Sequence, residues 1–312
     1  MKGYRNYAKI ILLPTLFISF LLFLQTVNIL VQKDIQEKKV LPSPFLVSPP
    51  SAYPLLQGVL SANTSELLDV SAASAVVMDN TSKVVFFSKN PTFRFSMAST
   101  TKIMTAVVGL SHYKDSDILT VAREHVDGTI VGFKKGEQVF FQDALYAMML
   151  PSGNDAAMAI ADNYPGGQDA FVTQMNKVAK QLHLNQTKFV DPAGLADDGD
   201  YTTAVDLAHL ASFAMQDKTF SKIVSTKQKN ITTVDGSHTF VLSNLNKLLG
   251  SGGVNGIKTG FTDEAKGVLV TSKTEGDHTF IIVIMRSDDR FLDTQKLLSV
   301  ISENTTYVTI HR

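Results

Sequence analysis

Met97-Ala-Ser-Thr-Thr-Lys-Ile-Met-Thr-Ala-Val-Val-Gly-Leu110 is the stretch where the chain changes character. The residues before it read as extended. From Thr101 onward Ile103, Met104, Val107 and Val108 recur at helical spacing. Ser99 therefore falls at or near a helix N-terminus, and Lys102, three residues on, shares its face. The positive end of the helix favours negative charge developing on the Ser99 hydroxyl. The ordinary alternative is that Ser99 simply caps the helix. A second Ser-x-x-Lys copy, Ser111 to Lys114, lies at the far end of the same pattern, before the polar run Lys114-Asp-Ser-Asp117, and reads as a solvated turn.

Working outward, Ala75–Met78 and Val84–Phe87 flank Asp79-Asn-Thr-Ser-Lys83, a hairpin pattern. Downstream, 142–150 and 155–161 read as two helices interrupted by Pro151-Ser-Gly153. Helical patterns follow over 169–182 and 203–215. Strands return at 239–242, 267–272 and 279–285, and a helix over 291–301 closes the pattern. Strands at both ends of a helical middle predict an α+β fold, an antiparallel sheet with helices packed on it. The regular alternation of a parallel sheet is missing.

The 312 residues carry no net charge, which gives no electrostatic footprint for nucleic acid. With no cysteine, disulfides and thiolate metal sites are excluded. The seven histidines form no close metal-binding pair. Composition shifts only at the N-terminus. Residues 1–9 hold Lys2, Arg5 and Lys9 and read as a basic cytoplasmic tail. Ile10 to Val31 is almost continuously apolar, and about 20 such residues cross a bilayer as a helix. No small-x-small cleavage site follows it, so 10–31 reads as an uncleaved transmembrane signal anchor with the remainder outside. Residues 32–60, with Pro42, Pro44, Pro49, Pro50 and Pro54, read as a linker. Residues 61–312 are left for the folded domain.

Two further strings complement Ser99 and Lys102. Ser152-Gly-Asn154 offers a hydroxyl and an amide at a sharp turn, though ordinary loop residues would read the same way. Lys258-Thr-Gly260 follows a glycine-rich run from Gly250. That run is not a phosphate loop, because Ile257 separates Lys258 from Gly256. It reads instead as a strand carrying Lys258 and Thr259 into a cleft, with Gly260 leaving room for a substrate backbone. A lysine acts as a base only when neutral, and burial or a second cation favours that state. Lys258 is the second cation expected for Lys102, so a serine acyl-transfer site without histidine is legible.

In this order the three strings resemble the penicillin-recognising serine enzymes. Met97–Ala106, Pro151–Ala157, Phe189–Leu195, Tyr201–Ala208 and Asn255–Ala265 narrow the resemblance to the low-molecular-weight D-alanyl-D-alanine carboxypeptidases. It runs from about residue 75 to about 298. Two departures are Asp191, where that family often has Asn, and Lys266, where it usually has Gly.

The resemblance implies a serine β-lactamase/transpeptidase-like fold with a helical lobe and an N-terminal transmembrane helix. It also implies hydrolysis of the terminal D-Ala from peptidoglycan stem peptides, outside the bacterial cytoplasmic membrane. By the same resemblance Ser99 is the nucleophile, Lys102 the base and Ser152 the proton relay. Asn154, Lys258, Thr259, Gly260, Phe261 and Arg290 bind substrate, with the Ser99 and Phe261 N–H groups as oxyanion hole. No metal or cofactor is implied, and β-lactams should acylate Ser99. An endopeptidase or β-lactamase on the same site, or a catalytically inactive tethered murein-binding module, are the alternatives.

Overall fold

The computed structural model describes residues 69–196 and 199–304. The expected tail, anchor and linker all lie outside these residues. Among the described residues no helix is long and apolar enough to cross a membrane.

The expected hairpin forms from β1 (Ser74–Asp79) and β2 (Val85–Lys89), with Val77 opposite Phe87. Asp79 stabilises its turn by accepting from the N–H groups of Thr81 and Ser82. Three long strands come at the other end of the chain: β7 (Val254–Thr262), β8 (Lys266–Glu275) and β9 (His278–Ser287). They join the hairpin in one antiparallel sheet of order β2-β1-β9-β8-β7. First and last strands thus meet in its middle, with Val77 opposite Ile282.

Phe280 to Met285 of β9 are all buried, so this sheet is covered on both faces. An unbroken apolar run is what such a strand requires. Ala75, Val77, Leu269, Phe280, Ile282 and Ile284 pack against Leu297 and Ile301 of the closing helix, α7 (Arg290–Asn304). The other face meets α5 (Ala204–Ala214), which in turn packs on α1 (Lys102–His112). The α5 N-terminus is capped by Thr203, whose hydroxyl accepts from the Asp206 N–H. With α2 (Phe141–Met149), α3 (Asn154–Asp162) and α4 (Gly167–Gln181), α1 makes up the helical part. Asn154 is the first residue of α3 rather than part of the break before it.

Several elements depart from the sequence reading. The strand expected at 239–242 exists as β6 (Thr239–Ser243), but it pairs with β5 (Gln228–Thr232) in a separate two-stranded sheet. β3 (Ile118–Thr120) and β4 (Gln138–Phe140) form another small pair. A short α6 (Lys218–Val224) was not anticipated; Asp217 caps it, accepting from the Thr219 and Phe220 N–H groups.

The start of the described chain is fastened to α7 by two of its side chains, one of them Lys296, which donates to the Asp69 carbonyl. Buried Asp293 accepts from the N–H groups of Ser71 and Ala72 and from the hydroxyls of Ser71 and Ser287.

Candidate active site

Ser99 sits in a 3-10 turn, Ala98–Thr101, that leads directly into α1. No side chain caps either helical start, so Ser99 is not a helix cap. Ala98 has φ +45°, a left-handed conformation that costs a non-glycine residue energy and persists only where its surroundings impose it. Two glycines provide those surroundings. A Cβ on Gly260 of the edge strand β7 would lie 3.2 Å from the Ser99 nitrogen and 3.1 Å from the Ala98 Cβ. A Cβ on Gly194 would lie 2.0 Å from the Ala98 carbonyl oxygen. The Ser99 turn is held closely from both sides, and the approach at Gly194 is one that only glycine allows. Gly260 was expected to leave room for substrate; in the structure its missing side chain first admits the Ser99 turn.

Lys102 is fully buried. Its Nζ donates to Ser99 Oγ at 3.0 Å, Asn154 Oδ1 at 2.7 Å and the Ala193 carbonyl at 2.8 Å. An ammonium has three donors, and all three are used. Burial pushes its pKa down to about 7, against the pull of the Asp191 and Asp155 carboxylates. Burial was one of the two expected causes; the other, repulsion between Lys102 and Lys258, acts on both lysines and is plainest at Lys258. That residue lies well below the usual lysine range because of burial first, then the nearby Lys102 and Arg290 charges. Among the described residues no carboxylate lies within ion-pair distance of Lys258; its Nζ donates to the Thr259 carbonyl at 2.9 Å.

Ser152 is buried at φ +70° in the turn that enters α3. Gly153 beside it is required by packing, since a Cβ there would meet Val131 at 2.7 Å and the Ala147 carbonyl at 2.8 Å. Asn154 does two jobs inside the protein. Its Oδ1 accepts from Lys102, and its Nδ2 donates to the Asp127 carbonyl at 2.8 Å. That second bond ties it to the 127–133 loop. Asp155 gathers this loop through the N–H groups of Val131, Gly132 and Phe133.

Thr259 is buried beside Lys258, while Phe261, two residues on, is 60% exposed at the lip of β7. Arg290 is not the solvated helix-start arginine that sequence alone allows. Its Nη1 donates to the Gly260 carbonyl at 2.8 Å, and its guanidinium lies 5.9 Å from the Phe261 ring centroid. Burial lowers its pKa. The duplicate motif is set apart: Ser111, in the last turn of α1, donates to the Val108 carbonyl, and Lys114 is exposed. Among the described residues no cluster of three or more His, Asp or Glu side chains could hold a metal ion.

Sequence reasoning missed Ala193 and Gly194 as site residues, and it noted Asp191 only as a departure. Asp191 accepts four backbone N–H bonds, from Ala193, Gly194, Leu195 and Ala196, at 2.6–2.9 Å. The Asp-Pro-x-Gly pattern was the available signal for such a turn.

A serine paired with a buried lysine beside an antiparallel edge strand, with helices on both sheet faces, is the architecture of the DD-transpeptidase and penicillin-binding protein fold. The crystal structure of the Streptomyces K15 DD-transpeptidase matches with a TM-score of 0.71 and 33% identity, covering 74% of this chain and 96% of that one. A penicillin-binding protein homolog from Mycobacterium tuberculosis matches with a TM-score of 0.72 and 26% identity, covering 78% of this chain and 95% of that one.

The chain belongs to the D-alanyl-D-alanine carboxypeptidase family, whose family model matches residues 61–289. The D-alanyl-D-alanine carboxypeptidase DacF of Bacillus subtilis is 34% identical over 249 residues, 77% of this chain and 62% of that protein. The D-alanyl-D-alanine endopeptidase of Pseudomonas aeruginosa is 33% identical over 212 residues, 66% of this chain and 68% of that protein.

Proposed function

We propose that this chain is a serine-type D-Ala-D-Ala carboxypeptidase acting on peptidoglycan stem peptides. Family membership supports the reaction class, and the 3.0 Å bond between the fully buried Lys102 Nζ and the half-buried Ser99 Oγ carries the reading. When Lys102 loses a proton, its two remaining N–H groups stay on Asn154 Oδ1 and the Ala193 carbonyl. The lone pair is then aimed at the Ser99 hydroxyl.

In this mechanism Ser99 Oγ attacks the carbonyl of the terminal D-Ala-D-Ala bond and its proton passes to Lys102. N–H groups of Ser99 and Phe261 receive the oxyanion. Ser152 passes a proton to the departing amine as the C–N bond breaks. Water then attacks the acyl-enzyme and frees Ser99. The substrate's terminal carboxylate binds Lys258 and Thr259, with Arg290 alongside. A buried cation without a carboxylate partner gains most from an incoming anion. Asn154 meets the substrate amide with its remaining N–H, and Gly260 lies beside the substrate backbone.

β-Lactams enter as mimics of the dipeptide and acylate Ser99. Residues 10–31 anchor the chain in the bacterial cytoplasmic membrane, 32–60 form the linker, and the catalytic domain from about 61 faces outward. The test is mass spectrometry of full-length protein incubated with benzylpenicillin and with a peptide ending in D-Ala-D-Ala. The expected result is an adduct on the Ser99 peptide and released D-Ala, both absent from Ser99→Ala. A folded wild type that forms no adduct overturns the reading. Because a relative is named an endopeptidase, cross-linked dimers belong in the same assay.

A further inference from the structure

The 191–196 loop touches both halves of the Ser–Lys pair. The Ala193 carbonyl accepts from Lys102 Nζ at 2.8 Å. Gly194 packs on the Ala98 carbonyl, one residue before Ser99. Both contacts depend on one buried side chain. Asp191 Oδ1 accepts from Ala193 N at 2.6 Å and Gly194 N at 2.7 Å, and Oδ2 accepts from Leu195 N at 2.9 Å and Ala196 N at 2.8 Å. An asparagine of the same shape has one acceptor atom and so can serve only half of this set.

Behind the loop lies a second buried carboxylate, Asp200. It accepts from Val190 N at 2.6 Å and Thr101 Oγ1 at 3.4 Å. The charged groups acting on Lys102 are Asp191 from this loop and Asp155 from α3, with Lys258 of β7 as the nearby cation and Arg290 beyond it; Asp200 in turn feels the Asp191 charge.

We propose that Asp191 is a positioning residue for the Lys102 base: it folds the loop that orients the amine toward Ser99, and its charge sets how readily that amine gives up its proton. Removing the charge makes the ammonium harder to keep, so Lys102 becomes neutral at lower pH. The catalytic consequence rests on the carboxypeptidase reading; the effect on Lys102 itself does not.

The experiment therefore reads Lys102 directly. Full-length protein labelled with 13C-lysine is titrated by NMR, with the Lys102 signal assigned from Lys102→Ala, in wild type, Asp191→Asn and Asp200→Asn. Benzylpenicillin acylation rates are measured over the same pH range. In Asp191→Asn the Lys102 midpoint should fall by about half a unit or more, and the acid limb of acylation should move with it. Asp200→Asn leaves all four N–H bonds to Asp191 in place and should give a smaller shift the same way. A purely structural role lowers acylation at every pH without moving the Lys102 midpoint. An unmoved midpoint in folded Asp191→Asn overturns the proposal; if that variant does not fold, Asp191→Glu, which keeps the charge but displaces the carboxylate, should lower acylation with the Lys102 midpoint held, and an unchanged acylation rate overturns it. A shifted midpoint in a protein that forms no penicillin adduct leaves this inference standing and removes the carboxypeptidase reading instead.

Discussion

Lys102 and Lys258 are the same residue type, both buried at the cleft, yet their surroundings are opposite. Lys102 has three oxygen acceptors and feels two carboxylates. Lys258 has one backbone carbonyl, and the charges that act on it are cations. A lysine whose hydrogen bonds are complete is ready to change its charge. A lysine left short of anions is ready to receive one. The pair teaches that role follows from what each ammonium lacks, since burial depresses both.

The sharpest way to break this comparison is to delete the pair at its reactive end. Ser99→Ala or Lys102→Ala should lower acylation on the order of 10³-fold or more, and the double variant should be no worse than the singles, because the two act as a unit. Additive losses in stopped-flow acylation would separate them.

Next in size is Gly194→Ala, where a Cβ must fit 2.0 Å from the Ala98 oxygen at φ +78°. A loss of roughly 2–4 kcal/mol in denaturant unfolding is expected. A change within error would mean that the grip on the Ser99 turn is loose.

Lys258 is probed by Lys258→Met. Catalytic efficiency on free-carboxylate peptides should fall about 100-fold, while C-terminally amidated peptides, already poor substrates, change little. Stability should rise by ~1–3 kcal/mol, because a buried cation without an anion is removed. Lys102→Met should not stabilise the fold, since it orphans Asn154 Oδ1 and the Ala193 carbonyl. Equal stability changes in the two variants would erase the contrast.

With pH, the free-enzyme acylation rate should fall as pH drops through about 7, where Lys102 is protonated. The same depressed pKa means the unfolded chain binds more protons between about 7 and about 10.4, so this group makes stability rise with pH across that window.

The smallest effect concerns Asp200, raised to about 7 by burial and then by the neighbouring Asp191 charge. The folded state holds its proton longer than the unfolded chain does. Its contribution is thus greatest in acid and is lost as pH rises through about 7. Asp200→Asn should flatten that decline by about 1–2 kcal/mol, read as the difference in unfolding free energy between pH 4 and 8.

The elements that carry the site were legible because their patterns are local. Ile103, Met104, Val107 and Val108 mark one helix, and the run Phe280–Met285 marks a strand buried on both faces. β5 was illegible because only Ile231 of its five residues is buried, so no alternation reaches the sequence. β6 was seen but assigned to the wrong sheet, since partnership is a tertiary fact. Ser99, Lys102 and Lys258 could be named from spacing. Asn154's bond to Lys102 and the loop held by Asp191 could not, because they join residues 52 and 91 positions apart. Arg290 was named only through the resemblance, because its contact with the Gly260 carbonyl spans 30 positions.

The Asp293 staple has a mechanical consequence. Tension arriving along the chain at residues 69–72 is handed to Lys296 and Asp293 and so to α7 and Ser287. That load path runs on the sheet face opposite α5 and α1, the side that carries Ser99. Whatever tugs on the upstream end of this domain is met before the strain can reach the Ser99 turn.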